Sequence, residues 1–447
     1  MTDHAVVLGG SIAGSLAARV LADTCEQVTV VDRDVLCEGV HPRQAVPRQA
    51  VPQGHHIHAL LARGQQILDE LFPGFTSELV DRGVPVGDFG TTLSWYFNGE
   101  MIRKAHTGLV CVAAGRPLLE AYLRGRVRSL PNVAFRDCTD IRGLAASADR
   151  SRITGVRVQG RDPSAAEEVL DADLVVDTTG RGSRTPRWLE ELGYGRVQEE
   201  RVAMDLTYTT CDYQSPLPFD PIGENIAIIP VATPALPRGA IFARMPDRYS
   251  ISLTGILGDQ PPTDHRGFLD YVRSLPVPEI YQAARQAEPL GTPVRFRFPA
   301  SIRRHYERLP RLPGGLLAMG DAACVFNPVY AQGMTVAALE TLVLARHLAH
   351  DPPQPARYFR DLARVIDAPW DMSAGADLGF KGTRGRRTLK VRLGNAYIPR
   401  LQAAAVTDDC LSAAFLRAAG LVDPPTALLR PSVVARVLMT KGRWKRL

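Results

Sequence analysis

Lysine is nearly missing from this chain. Only five of its 53 basic residues are lysines (Lys104, Lys381, Lys390, Lys441 and Lys445); the rest are arginines, and the formal net charge is +6 over 447 residues. The basic residues are scattered apart from a short C-terminal run, KGRWKRL. That argues against a nucleic-acid partner and leaves the run as either a solvated tail or a lipid-surface contact. Cysteine is equally uninformative as a framework. Seven are present, an odd number, with no CxxC pair and no Cys/His zinc spacing, which fits reduced thiols in a cytoplasmic protein. No unbroken apolar run of about 18 residues occurs; GMTVAALETLVLARHLAH is interrupted by Glu340, Arg346 and His347, so stable membrane insertion is not expected. The opening MTDHAVVLGG lacks the charged-then-apolar pattern of a signal peptide. What is abundant is ordinary globular material, 45% hydrophobic and 22% charged, in a chain too long for one simple core.

The N-terminal stretch AVVLGGSIAGSLAARVLAD reads as a buried strand (Ala5 to Leu8), a glycine turn and a helix with Ile12, Ala13, Leu16, Ala17, Val20 and Leu21 at helical spacing. A second apolar run, VTVVDRD, leads into Asp32 and Arg33. Strand, turn, helix, strand and acid in that order form a dinucleotide-binding unit. Gly9 lets the chain turn tightly. Past Ser11 the free N–H groups of Ile12, Ala13 and Gly14 face a pyrophosphate, and Gly14 lets the helix approach the strand. Asp32 suits a ribose diol. Ser11 stands where the middle glycine of the fingerprint is expected, and the pattern alone does not separate FAD from NAD.

Far downstream, LPGGLLAMGDAACVFNPVYAQGMTVAALETLVLARHL offers a second strand ending at Gly320-Asp321, then Pro328, an Ala331-Gln332-Gly333-Met334 turn and a long helix. This combination resembles the Gly-Asp motif of class A FAD-dependent monooxygenases with the p-hydroxybenzoate hydroxylase-like fold. The resemblance implies FAD, with Asp321 accepting from ribityl or ribose hydroxyls and Gln332, Gly333 and Met334 presenting N–H groups to the flavin. It also implies a phosphate contact for Arg116, which opens the helix of AAGRPLLEAYLRGRV, and a cofactor neighbour at Gly180 in DTTGRGSR. Many aromatic hydroxylases carry Asp-Gly there; this chain has Thr179-Gly180, a departure shared with halogenases, geranylgeranyl reductases and polyether-type epoxidases. The Trp-x-Trp-x-Ile-Pro segment of the halogenases is absent. The closest likeness is to actinobacterial epoxidases and hydroxylases of polyketide tailoring.

The implied fold class is α/β: a Rossmann-like FAD domain of the glutathione-reductase type, with an inserted antiparallel β-sheet substrate domain and a C-terminal helical segment. The expected division is 1–80, 101–184 and 300–350 for FAD, 81–100 and 185–299 for substrate, and 351–447 as helices closing the far side of the cavity. VAMDLTYTTCDY, NIAIIPVAT, GAIFARMP and YSISLTGIL read as short strands, and Lys381 to Arg392 as a solvated basic loop. Trp95, Tyr96 and Phe97 either face the substrate or alternate between core and surface. Tyr330 is either a polar contact at the reacting edge or a structural tyrosine.

The implied activity is insertion of one oxygen atom from O2, by epoxidation or hydroxylation through a flavin C4a-hydroperoxide, into a largely apolar secondary metabolite such as a polyketide, with NAD(P)H as a transient reductant. No side chain is obligatory for that chemistry; Tyr330 and His58 are the candidates. The alternatives are an FAD-containing scaffold for a non-redox cyclisation, or a reductase of isoprenoid chains.

One stretch repeats itself: HPRQAVPRQAVPQGHHIHALL holds PRQAV twice. Relatives in the resembled family read Pro-Arg, two residues, Val-Pro-Gln-Gly, His-x-His, and only the second copy keeps that register, through Arg48, Gln53, His56 and His58. Arg48 and Gln53 are therefore assigned to the cofactor, and Arg43 to a duplication in a tolerant loop. His56 and His58 at i, i+2 would share one face of a strand, but no third ligand has metal-site spacing, so no metal is assigned. His58 is either a flavin neighbour or a packed histidine. Arg48→Ala is expected to weaken FAD retention far more than Arg43→Ala, read as flavin content after gel filtration; equal losses would remove the register.

Overall fold

The opening strand β1 (Thr2–Leu8) carries four successive apolar side chains, Ala5 to Leu8, that are fully buried. Such a run needs cover on both faces, and β1 obtains it at the centre of a five-stranded sheet. The order is Leu316–Ala318, Leu174–Asp177, β1, β2 (Cys25–Val31) and Val133–Arg136, every pair parallel. Helix α1 (Ile12–Leu21) crosses from β1 to β2 and packs against the helices Arg116–Arg128 and Gly333–Leu348. The computed structural model describes residues 2–36, 47–162, 164–349 and 353–440. Arg43 and the first PRQAV copy lie outside the described residues.

Two glycines set the geometry of the β1–α1 turn. Gly9 has φ +99°, and a Cβ on Gly14 would sit 1.8 Å from the Gly9 carbonyl oxygen. The helix thus starts against the strand end, where any side chain would wedge it away.

A second sheet of eight strands stands beside the first, with Val294–His305, Gln198–Gln214, Arg248–Gly255, Arg238–Arg244, Ala227–Val231 and Leu93–Phe97 in sequence across it. Its pairs are antiparallel except Ala227–Val231 with Leu93–Phe97. Strand periodicity divides its side chains. Cys211, Phe242, Ile251 and Leu253 face outward beneath the helices His265–Arg273 and Pro278–Gln286. The opposite face turns toward the parallel sheet.

A three-stranded antiparallel sheet (Thr139–Ala146, Ile153–Gly160 and Glu167–Asp171) also stands apart; the sequence reading did not anticipate it. Four helices follow the long Gly333 helix: Pro355–Asp377, Leu389–Ala405, Asp409–Ala419 and Pro431–Met439. Leu401, Leu411, Leu416 and Val437 from the last three share a core with Leu93 and Phe97 of the large sheet and with Ile226 and Met245 at its strand ends. The basic stretch Lys381 to Arg392 is not all loop. Residues from Leu389 onward are helical, and Arg387 folds back onto the carbonyls of Leu378, Phe380 and Thr383, the cap and loop just past the preceding helix.

Candidate functional site

A cavity of about 2530 Å³ lies between the carboxyl ends of the parallel strands, the inner face of the large sheet and the C-terminal helices. Sites for single small ligands run to roughly 300–1,000 Å³, so this one has room for a dinucleotide and a substrate together. Three glycine turns converge on it. A Cβ on Gly320 (φ +63°) would meet Ala13 Cβ at 2.8 Å, one on Gly180 would lie 3.9 Å from Asp321, and one on Gly333 4.0 Å from Asp321 Oδ1. Of the residues assigned to the cofactor from sequence, all but Gly14 line the cavity. Gly14 instead acts behind it, as the contact that seats α1.

At one end of the cavity three carboxylates and two arginines interlock. Glu120, in the second turn of the Arg116 helix, accepts from Ser11 Oγ at 2.6 Å, Arg116 Nε at 2.8 Å and Arg48 Nε at 3.1 Å. Arg48 Nη1 reaches Asp32 and Asp34, each at 3.2 Å, and Arg116 Nη2 donates to Ser11 Oγ at 3.0 Å. Burial alone pushes the Glu120 carboxyl up, but Arg116, Arg48 and the Ser11 hydrogen bond outweigh it and bring it down to about 2. Glu120 was missed in the sequence, where its i, i+4 spacing from Arg116 reads as a surface ion pair. Asp32 is also more committed than a free ribose acceptor: Oδ2 takes the Gly10 N–H at 2.7 Å and Oδ1 the Asp34 N–H at 2.8 Å.

The other polar wall is the turn from Asn327 to Met334. Its left-handed Ala331 (φ 54°) swings the chain into the Gly333–Leu348 helix, whose N-terminus opens on the cavity. Beneath it, fully buried Glu340 accepts the Gly320 N–H, and burial raises that carboxyl to about 8, so it is largely protonated at neutral pH. Burial also pushes Asp321 upward, against the pull of Arg116, Arg304 and Arg181. The Tyr330 hydroxyl donates to Asp377 Oδ1 at 2.9 Å, and Asn327 Nδ2 binds the same oxygen at 2.9 Å. Burial lifts Asp377 to about 7 against these two bonds. Asp377 too went unread, since nothing in a helix sequence distinguishes a buried acid from a solvated one.

The histidines do not share a strand face. His56 ends a 3-10 turn (Pro52–His55), its Nδ1 2.7 Å from Thr210 Oγ1 and its ring between Tyr208 and Phe296; His58 Nδ1 instead turns back to the His56 carbonyl at 2.9 Å. Burial holds them at about 4 and about 3, with His55 and Arg116 respectively adding to the effect. Both are therefore neutral at physiological pH, and both line the cavity.

The remaining wall is apolar: Phe89, Trp95, Phe97, Ile229, Ile241 and Met245. Trp95 and Phe97 stack with ring planes 3° apart. Tyr96 is a correction to the sequence reading. The period of two turns it to the opposite face, against the helix-covered core.

The residues present fit a flavin dinucleotide. Two helix N-termini, an arginine cluster and an acid for a diol share one chamber. Gln332 Oε1 and His56 Nε2 are buried on its wall with no protein partner, as expected of groups that await a polar ligand.

No family model matches the chain. It is 34% identical to Protein Rv3254 of Mycobacterium tuberculosis over 449 residues, covering 94% of this chain and 90% of that protein. Among solved structures it is similar to the flavin-dependent brominase Bmp2 (15% identity, TM-score 0.68, 93% of each chain). It is also similar to PqsL, a probable FAD-dependent monooxygenase from Pseudomonas aeruginosa (16%, 0.60, 84% of this chain and 94% of that one). A third is the Diels-Alderase PyrE3 of the pyrroindomycin pathway (16%, 0.60, 94% and 81%). The fold is that of flavoprotein monooxygenases and halogenases.

Glu120→Gln leaves Arg116 and part of Arg48 buried without a counter-charge, and is expected to cost about 3 kcal/mol of stability in chemical denaturation. The folded carboxyl lies near 2 against an ordinary 4.5. Its contribution is thus complete above about 4.5 and lost as pH falls toward about 2, so the gap between parent and variant should close over that window. A gap constant from neutral to acid pH would contradict the cluster.

Proposed function

The chain belongs to the family of Protein Rv3254 of Mycobacterium tuberculosis, and from that premise and the site's geometry we propose that it is an FAD-dependent monooxygenase. It inserts one oxygen atom from O2, by epoxidation or hydroxylation, into a largely apolar secondary metabolite of the polyketide class. The observation that carries this reading is the joining of a dinucleotide cradle and an apolar chamber in one cavity.

When bound, FAD supplies the oxygen-activating chemistry, with NAD(P)H as reductant. The chain's own residues bind, orient and exclude water. The first N–H groups of α1, with Arg116 and Arg48, would hold the pyrophosphate, and Asp32 the adenosine ribose. Asp321 would take a ribityl hydroxyl, and the Gln332–Met334 N–H groups the flavin's polar edge, where negative charge develops on reduction. Trp95, Phe97, Ile229 and Met245 would shelter the substrate from water. Because the Tyr330 hydrogen is spent on Asp377, its oxygen offers lone pairs to the cavity, a means of holding a substrate hydroxyl.

A second reading, an FAD-containing scaffold for a non-redox cyclisation, is supported by the likeness to PyrE3. Thr179-Gly180, in place of an Asp-Gly pair, suits either that or a reductase of isoprenoid chains. Anaerobic NADPH should bleach the visible flavin band of the loaded protein, O2 should restore it, and an extract of candidate polyketides should yield a product carrying one atom from labelled O2. A band that persists with and without substrate would favour the scaffold. A product that gains two hydrogens without O2 would favour the reductase.

A further inference from the structure

We propose that the mouth of the cavity is a docking surface for an anionic lipid bilayer. The observation is a coincidence of exposed apolar residues, unbalanced positive charge and the cavity rim.

Leu438, Leu389 and Met439 are the most exposed large hydrophobic residues described, at 78%, 73% and 70%; Leu393 and Leu429 are also exposed, at 62% and 60%. Scattered exposed leucines are ordinary, but a group gathered on one rim is not. These five come from the helices Leu389–Ala405 and Pro431–Met439, which pack together, and from the short turn Pro425–Leu429 beside them. Leu393, Leu429 and Leu438 also line the cavity, so the patch borders it.

The charge of the same elements is one-sided. Residues 378–407 hold seven cations and no acid, and residues 424–440 hold two cations, Arg430 and Arg436, and no acid. The nearby acids are largely matched already: Asp371 by Lys390, Asp408 by Arg436 and Asp423 by Arg417. Lys381, Arg386 and Arg392 are exposed and have no ion-pair partner among the described residues. The final KGRWKRL lies outside the described residues.

Leucine and methionine projecting among arginines and lysines match the interfacial region of a membrane, where apolar side chains sink among acyl chains and cations meet phosphate. An acidic protein partner would account for the cations but leave the most exposed leucines without a reason. No helix among the described residues is long and apolar enough to cross a membrane, so the contact is peripheral. It places the cavity opening against the bilayer.

The proposal does not depend on flavin chemistry, and its test does not either. The purified full chain is sedimented with vesicles of mixed phosphatidylglycerol and phosphatidylcholine, and with phosphatidylcholine alone. Binding is expected to the anionic vesicles only, and to weaken at high salt. Leu389→Ser with Met439→Ser, and separately Arg386→Glu with Arg392→Glu, should each reduce the partition coefficient by at least about tenfold, with thermal unfolding unchanged. These residues are exposed, so folding is not at risk. Absence of binding to anionic vesicles, or equal binding by the variants, would overturn the proposal. So would a dimer in sedimentation velocity that the same substitutions dissociate, or binding to an acidic protein with none to vesicles.

Discussion

One buried carboxylate organises the cofactor end of this molecule. Glu120 ties three separate pieces of chain together: Ser11 at the head of α1, Arg116 at the head of its own helix and Arg48 from the second PRQAV copy. Each piece alone is an ordinary feature. Joined through one oxygen pair, they fix the entry of α1 and present two guanidinium groups beside its N-terminus. A buried charge is tolerated only when paired and hydrogen-bonded, and Glu120 is both. The network holds its cations before any ligand arrives, which lowers the cost of ordering them around a phosphate.

The rest of the chamber follows from a division between polar and apolar ends. Glycine turns at Gly9, Gly180 and Gly320 let the chain pass close to the Thr178 backbone, Asp321 and Ala13 respectively, where a side chain would intrude. Across from them the period of a strand turns Trp95 and Phe97 inward and Tyr96 outward. The C-terminal helices close the apolar end through Leu401, Leu416 and Val437, and the same helices carry exposed leucines at the rim. A substrate would thus pass from an apolar rim through an apolar chamber to a polar floor.

The β1–α1–β2 unit was legible in the sequence because a strand buried on both faces must be apolar throughout and a tight turn there must be glycine. Arg48 was legible by register, and the structure puts it beside Asp32 and Glu120 in the cavity wall. Glu120, Glu340 and Asp377 were not legible. A carboxylate on a helix looks the same in sequence whether solvated or enclosed, and only the packing of the other elements decides. Tyr96 was left open for a related reason: three consecutive aromatics fit either one patch or alternation, and strand geometry sends the middle one to the other face. Leu389 escaped because it lies in a stretch read as a basic loop, and Leu438 because exposure is a property of what does or does not pack over a helix.

The central claim is that this cavity is built for a flavin dinucleotide. The most direct measurement is to denature the purified chain and identify and count the flavin released. The account predicts FAD in one-to-one ratio with the chain, since the cluster around Glu120 and the head of α1 would hold the adenosine and pyrophosphate half. Release of FMN, or failure to take up FAD when it is supplied in excess, would contradict it.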